Sequence, residues 1–340
     1  MTPTLQILRA GPQMTVQDLG RPALTARGLA TGGAADRTAL AEAAALLNLT
    51  HFPAAIEIAG MGGEFAVTLP TRIALTGAPM RAKVDAKEIG WNQTHLILPG
   101  QRLSIGGALS GVYGYLATAG GIATEPVLGS RSTHLVGNIG QILAAGDGLI
   151  LGPDPTPTAP TVRITPEPRF SGGAVRMMPG PQTGLFEKAE LARFLASEFA
   201  RGSASNRQGV RLEHGGAPFQ AGEAAGLASD FIAVGDVQMT GDGVPYVLLS
   251  ECQTMGGYPR IGTVIGADLS RIAQLSLGGR VRFTLISVEE ADRLYRSPAQ
   301  MIAEAKSRVA PLVRDPSEIS DLLGYQLIGG VVSGRDEEEY

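Results

Sequence analysis

The sequence predicts a mainly β protein with a few helices, of the α+β class, built in two halves. Its 46 glycines and 22 prolines indicate many tight turns. Short apolar or alternating runs recur along the chain, and each is bounded by Gly, Pro or Asp, which is typical of barrels and sandwiches of short strands. Helical periodicity is confined to a few segments. We therefore expect the helices to cover a β framework.

The predicted strands follow one another over most of the chain. In order, they are LQIL, FAVTL, RIALTG, HLILP, RLSIG, VYGYLATAGG, GLILG, AVRMMPG, FIAVGDVQM, YVLLSEC, GTVIG and RVRFTLIS. Each run has the length of a strand and is too short for a buried helix. The series favours barrel-like or sandwich β architecture.

Four segments have apolar residues at helical spacing. The first, residues 36–49, has Leu40, Ala43 and Leu47 on one face, and Asp36 is its predicted N-cap. The other three segments are residues 183–199, residues 267–275 and a broken stretch at 288–306.

A Pro-rich segment at residues 152–173 divides the chain. Because its prolines cannot join a central sheet or a helix interior, it is predicted to be an extended linker. The predicted domains are an N-terminal β-barrel-like half at 1–152, a linker at 153–171, a C-terminal half at 172–300 and a helical or frayed tail at 301–340. Weak echoes between the halves, such as GPQ at the start of each, suggest a duplicated barrel.

Charge and motif content exclude several function classes. The net charge of −4 without a basic block argues against nucleic acid as a partner. The N-terminus does not resemble a signal peptide, and no apolar stretch approaches the ~18 residues of a membrane span, so we expect a cytoplasmic protein without membrane contact. The four histidines are scattered and there is one cysteine, Cys252, so neither a metal site nor an intrachain disulfide is expected.

Cofactor motifs are also missing from the sequence. It contains no G-x-x-x-x-G-K-[ST] phosphate loop and no G-x-G-x-x-G between a strand and a helix. None of the four lysines has a neighbouring methionine, as a biotin-carrier lysine would. We therefore expect no covalently bound cofactor in this chain.

The first of three polar clusters interrupts the β pattern at residues 15–36. It offers Gln17, Asp18, Arg21 and Arg27 within a short span. The Gly-Gly-Ala-Ala-Asp entry to the first helix could present free N–H groups to an anion or a carbonyl. An ordinary capped loop explains the same pattern equally well.

The second cluster, residues 203–216, contains Asn206, Arg207 and Arg211. If the two arginines share one strand face, they can bind a carboxylate, while Asn206 can bind an amide as donor and acceptor. The alternative is a solvated strand edge.

The third cluster is QTMGGYP, which directly follows the strand-like run PYVLLSEC. The backbone at Gly256 and Gly257 can approach a ligand closely, and Thr254 is the neighbouring polar candidate. Gln253 can bind both edges of an amide, and Tyr258 can close the pocket as a wall and hydroxyl donor. The alternative is a turn at the strand exit that carries a glutamine by chance.

These clusters, in this order, resemble a carboxyltransferase family that includes allophanate hydrolase subunit 2, KipA and the C component of bacterial ATP-dependent 5-oxoprolinase. The resembling stretches are TVQDLGR, GGAAD, AAIEIAGMGGEF, YGYLATAGGI, VLGSRSTH, MPGPQ, SNRQGVRLE, VGDVQMTGDGVPYVLLSECQTMGGYPRIGTV and DLSRIAQLSLGGRVRF. They cover nearly the whole chain. The resemblance implies a cyclophilin-like β-barrel architecture, which agrees with the short predicted strands.

The resemblance also implies a function. The chain would be the C component of a heteromeric, ATP-dependent 5-oxoprolinase-type complex and act on a small cyclic amide together with the B component, a KipI-like or allophanate hydrolase subunit 1-like protein. One alternative is a biotin-dependent carboxyltransferase of the urea and allophanate pathway. Another is a non-catalytic KipA-type regulator that binds a kinase-inhibitor partner. In the enzymatic cases the chain is not active alone, and partner subunits supply ATP or carboxybiotin.

Roles for the candidate residues follow from this resemblance. With 5-oxoproline as substrate, Gln253 and Asn206 would bind the amide edges and Arg207 or Arg211 the carboxylate. Asp18 is the candidate acid or base, and Gln253 is the other candidate catalytic residue. In carboxyl transfer, the same donors would stabilise the ureido oxyanion of biotin.

Overall fold

The structure, a computed structural model, describes residues 2–222 and 227–313. Its first half contains two β-sheets, and its second half contains a closed barrel and a small two-stranded sheet. The prediction of a mainly β protein with a few helices is confirmed.

Twelve strands precede residue 165. They are β1 (Thr4–Arg9), β2 (Met14–Gln17), β3 (Ala55–Ala59), β4 (Glu64–Val67), β5 (Thr71–Gly77), β6 (Met80–Val84), β7 (Lys87–Ile89), β8 (Gln93–Ile97), β9 (Leu103–Ala108), β10 (Tyr113–Thr118), β11 (Gly148–Ile150) and β12 (Val162–Ile164).

The later strands build the barrel and its attachments. They are β13 (Gly173–Met178), β14 (Phe199–Arg201), β15 (Gly209–Glu213), β16 (Asp230–Phe231), β17 (Asp236–Met239), β18 (Pro245–Leu248), β19 (Met255–Gly256), β20 (Arg260–Val264), β21 (Arg280–Leu285) and β22 (Val309–Pro311).

The two sheets of the first half have the strand orders β11-β1-β4-β9-β6-β7 and β2-β3-β10-β5-β8-β12-β22. Apolar side chains from both sheets, such as Ile7, Ile58, Phe65 and Leu116, pack into one buried cluster. In strands such as β4, buried residues alternate with more exposed ones because successive side chains of a strand point to opposite faces.

The barrel closes in the order β13-β20-β17-β18-β15-β14-β21. Its interior is filled by alternate residues of each strand, among them Val175, Val210, Val237 and Val247, none of which has any exposed surface. Closure leaves no free strand edge in this sheet.

Five α-helices cover this framework within the described residues. They are α1 (Arg37–Leu46), α2 (Lys188–Ala196), α3 (Leu269–Ala273), α4 (Val288–Arg293) and α5 (Pro298–Lys306). The predicted cap of α1 is confirmed, since the Asp36 carboxylate accepts a hydrogen bond from Ala39 N at 3.1 Å. The predicted helix at 183–199 is shorter than expected because Phe199 begins β14 and is buried in the barrel.

Part of the segment that was predicted to be a linker is a strand. Residues 161–165 contain no proline, and β12 within them pairs with β8 and with β22. The Arg169 guanidinium is buried against Asp36 at 2.6 Å and Glu42 at 2.8 Å. This segment is therefore attached to the first half along its length. The predicted tail contributes the end of α5 and β22 to that half, and residues 314–340 lie outside the described residues.

Candidate functional site

An open cavity of about 580 Å³ lies on the outer face of the barrel. Its floor is formed by β15, β17 and β18, and its walls come from residues 203–206 and from the segment that contains Gln253 and Tyr258. Two of the three polar clusters predicted from sequence therefore meet around one cavity.

Strand alternation decides which side chains form the floor. Val210 and Leu212 point into the barrel, so Arg211 between them points outward. Gln238 lies between the inward Val237 and Met239 and points outward for the same reason. The floor is therefore polar although the strands are apolar on their other face.

Two amides and one phenol predicted from sequence line the cavity. Asn206 accepts a hydrogen bond from Gln208 N at 2.7 Å through Oδ1, which leaves its NH₂ group available to a ligand. Gln253 and Tyr258 are exposed to the cavity, and Tyr258 has 49% of its surface accessible. These groups can donate to a carbonyl and accept from an amide N–H.

The stretch between Gln253 and Tyr258 supports the wall of the cavity. Its Met255–Gly256 strand, β19, pairs with β16, and Ile232 N donates to Thr254 O at 3.2 Å. A Cβ atom at Gly256 would lie 3.0 Å from Gln238 Nε2, so this strand passes closely over the floor. Thr254, Gly256 and Gly257 thus lie behind the wall, and none of the three lines the cavity itself.

Arg211 is the cationic group of the cavity. Its guanidinium donates to Tyr246 Oη and to Asp242 Oδ2, both at 3.3 Å. The hydrogen bond with Tyr246, followed by that with Asp242, raises the pKa of Arg211. Both bonds are long, and the guanidinium has five N–H donors, so donors remain for a ligand carboxylate.

Arg207 does not face this cavity. The prediction that Arg207 and Arg211 share a strand face is wrong, because β15 begins at Gly209 and Arg207 lies before it. The Arg207 guanidinium is buried at the junction of the two halves, where it binds Glu57 and Glu251, the latter at 2.6 Å, and donates to Gly33 O at 2.6 Å. Burial lowers the pKa of Arg207, but the two carboxylates outweigh burial and raise it.

Asp18 also lies outside the cavity. It accepts hydrogen bonds from the hydroxyls of Ser130 and Ser132 and from Gly20 N and Arg131 N. Burial tends to raise the pKa of Asp18, but these four bonds outweigh burial and hold it below its usual value. An ionised carboxylate with its lone pairs occupied is poorly suited to act as acid or base beside Gln253.

Four of the five N–H groups at the helix entry, residues 32–36, which were predicted to be free, are already hydrogen-bonded; those of Gly32 and Ala34 donate to backbone oxygens. Ala35 N donates to Glu57 Oε2 and Asp36 N donates to Tyr115 Oη, both at 2.8 Å. A second cavity of about 280 Å³ lies at this junction, between α1 and residues 249–250 of the other half. Arg207 and Asp18, predicted as site residues, do not line it.

The large cavity is also lined by residues that were not predicted from the sequence as ligand groups, among them Gln238, Tyr246 and Cys252. Burial and then the nearby Asp236 raise the pKa of the Cys252 thiol to about 12, so it remains protonated at neutral pH. In the sequence, Gln238 is only a single polar residue between the apolar residues of DVQM. Its position in the cavity can be recognised only when the neighbouring strands are known.

Within the described ranges, no group of three or more His, Cys, Asp or Glu side chains is placed to bind a metal ion. The helices of the same ranges are all too short or too polar to cross a membrane.

Comparison with known proteins places this fold and cavity in a family. The model of the carboxyltransferase domain, subdomain A and B, matches residues 27–285. The chain is 36% identical to the C component of 5-oxoprolinase from Escherichia coli over 295 residues, which cover 84% of this chain and 93% of the relative. It is 32% identical to the same component from Haemophilus influenzae, over 86% of this chain and 94% of the relative.

A solved structure shares the fold. The crystal structure of the K. lactis urea amidolyase superposes with a TM-score of 0.80 and 24% identity, covering 93% of this chain. This chain spans 21% of that protein's length. From the family match and the two bacterial relatives, the chain belongs to the carboxyltransferase domain family that comprises subdomains A and B.

Proposed function

We propose that this chain is the C component of a 5-oxoprolinase-type complex and acts on a small cyclic amide together with the B component. The observation that carries the proposal is the meeting of Asn206, Gln253 and Arg211 around one cavity of about 580 Å³. A carboxylated lactam presents an amide and a carboxylate, which are the groups that these side chains bind. The two bacterial relatives, which match over nearly their whole length, support this substrate class.

The chemistry of the cavity fits amide activation. Opening a lactam requires attack at its carbonyl carbon, and negative charge then develops on the carbonyl oxygen. N–H donors that are held in place stabilise that charge. Gln253 and the free NH₂ group of Asn206 can supply them, while Arg211 binds the carboxylate and fixes the ring.

Partner subunits complete the reaction in this proposal. The sequence has no phosphate loop, so ATP would be bound by another chain, with a KipI-like B component as the expected partner. The chain alone is then inactive. Biotin-dependent carboxyl transfer is the second candidate function. It is supported by the similarity to the urea amidolyase of Lachancea kluyveri, which is 29% identical over 320 residues. In that case carboxybiotin would come from a carrier on another chain or domain.

The test is a Gln253→Ala variant in a complex reconstituted with the B component. Because Gln253 is exposed and lies outside the core, the melting temperature should stay unchanged. ATP-dependent turnover of L-5-oxoproline should fall about 5- to 150-fold, as expected for the loss of roughly 1–3 kcal/mol of polar contact.

The matched control is Gln220→Ala, which removes an exposed glutamine away from the cavity. It should leave turnover unchanged. Full activity of Gln253→Ala would place the reaction elsewhere in the protein. An inactive wild-type complex that carboxylates urea when biotin carboxylase and carrier are added would support the second candidate instead.

A further inference from the structure

We infer that Gln238, Tyr246 and Arg211 form a recognition row that selects amides carrying a carboxylate, with Gln238 as a substrate-positioning residue. This inference rests on the proposed function and specifies the chemistry of its ligand.

The row is defined by strand register. Tyr246 of β18 is paired with Arg211 of β15 on one side and with Gln238 of β17 on the other. Paired residues in adjacent strands point to the same face of a sheet. The three side chains therefore stand side by side on the outer face of the barrel, and all three line the cavity.

Gln238 has the features of a ligand-binding amide. Only 7% of its surface is exposed, and what remains accessible opens into the cavity. None of the side-chain hydrogen bonds within residues 2–222 and 227–313 involves its amide, while its neighbour Arg260 is engaged by Gln182, Asp230 and Asp236. Because this amide opens into the cavity, its donor and acceptor groups are available to a ligand.

The wall strand holds Gln238 in position. Because a Cβ atom at Gly256 would lie 3.0 Å from Gln238 Nε2, any residue larger than glycine there would press on the amide. The close passage of β19 restricts the rotamers of Gln238. A restricted side chain loses less entropy when a ligand binds.

The spacing of the row suits one class of ligand. Neighbouring strands lie about 4.8 Å apart, so the Cα atoms of Gln238 and Arg211 are separated by about 10 Å, with Tyr246 between them. A five-membered lactam with a carboxylate on the carbon next to its nitrogen can lie on the Tyr246 ring between them. Its amide then meets Gln238 and its carboxylate meets Arg211.

The test distinguishes recognition of the ligand carboxylate from recognition of its amide. Binding of L-5-oxoproline and of 2-pyrrolidinone, the same lactam without a carboxylate, is measured by calorimetry on the full-length chain. The wild type should prefer L-5-oxoproline. Arg211→Met should abolish this preference. Gln238→Met, which keeps the side-chain shape, should lower the affinity for both ligands about fivefold or more.

Thermal melting of each variant shows whether folding is retained, and Gln220→Ala serves as the control that should bind like the wild type. If Gln238→Met binds both ligands as the wild type does, or if the wild type does not bind L-5-oxoproline, the inference that these three residues recognise the ligand is wrong. Turnover in the complex with the B component is measured separately. A complex that binds L-5-oxoproline through the row and does not turn it over would refute the proposed function and leave the row standing.

Discussion

At the scale of single residues, two arginines four positions apart have opposite environments. Arg207 is buried between Glu57 and Glu251, whereas Arg211 reaches the cavity with two long hydrogen bonds. The first arginine joins the halves of the molecule and the second is free to bind a ligand. Identical residue types in one motif therefore have different roles, and substitution should separate these roles.

Arg207→Met should lower the free energy of unfolding by about 3–5 kcal/mol, because it leaves two buried carboxylates without their counter-charge. Arg211→Met should change it by less than about 1 kcal/mol, since its ion pair with Asp242 is largely exposed. Urea denaturation of both variants measures the difference. Equal unfolding midpoints for Arg207→Met and the wild type would show that the junction network does not stabilise the fold.

At the scale of elements, the close crossing of two chain segments fixes the end of β10 against the segment after β11. Gly120 and Gly152 touch through their backbones, and an isolated bridge joins Ile122 to Leu151 beside them. Only glycine allows backbones to approach so closely. The crossing holds the start of the segment at residues 152–173 against the first half.

Gly120→Ala should destabilise the protein by about 1–3 kcal/mol or more, because its Cβ atom would lie 1.8 Å from Gly152 O. The matched control is Gly184→Ala, where a Cβ atom would meet nothing within 4 Å. The melting temperatures of the two variants provide the measurement. If Gly120→Ala and the control have the same melting temperature, the two chain segments can move apart at the crossing without loss of stability.

At the scale of the whole molecule, the two halves share a buried ion-pair network and one large apolar cluster. Arg207 of the second half binds Glu57 of the first, and the largest apolar cluster includes residues of α1 together with the barrel interior. The halves should therefore unfold together. Conditions that lower the stability of either half should therefore lower the stability of the whole protein.

Acid pH should weaken both halves through three histidines. Burial lowers the pKa values of His95, His134 and His214 below the ordinary 6.5. The unfolded chain then binds more protons than the folded chain, so stability that is complete above pH 6.5 is lost as the pH falls through the folded pKa values. The melting temperature should be lower at pH 5.5 than at pH 7.5.

His95→Gln should reduce this dependence on pH, because it removes one imidazole that must stay neutral in the fold. The control is His51→Gln, which removes an exposed imidazole. If His95→Gln and the wild type lose stability equally between the two pH values, His95 does not contribute.

The β class, the position of α1 and its Asp36 cap could be read from the sequence, because strand alternation, helical periodicity and capping are local patterns. Most of the predicted strands are found, but FIAVGDVQM is divided between β16 and β17, and the five-residue strands β3 and β6 were missed. The short strands β12 and β22 were also missed. Both are three residues long and have no periodicity of their own. Pairing with distant strands gives them their conformation.

Some features of the candidate site could likewise be predicted from the sequence, and others could not. Asn206, Gln253 and Tyr258 were predicted because their types suit an amide ligand, and the structure brings them to one cavity with Arg211. The sequence could not show that Arg207 is occupied, because its partner Glu57 is 150 positions away. Nor could it single out Gln238, whose place in the cavity depends on strand register. Charge pairing and register join residues that are far apart along the chain, so only the tertiary structure decides them.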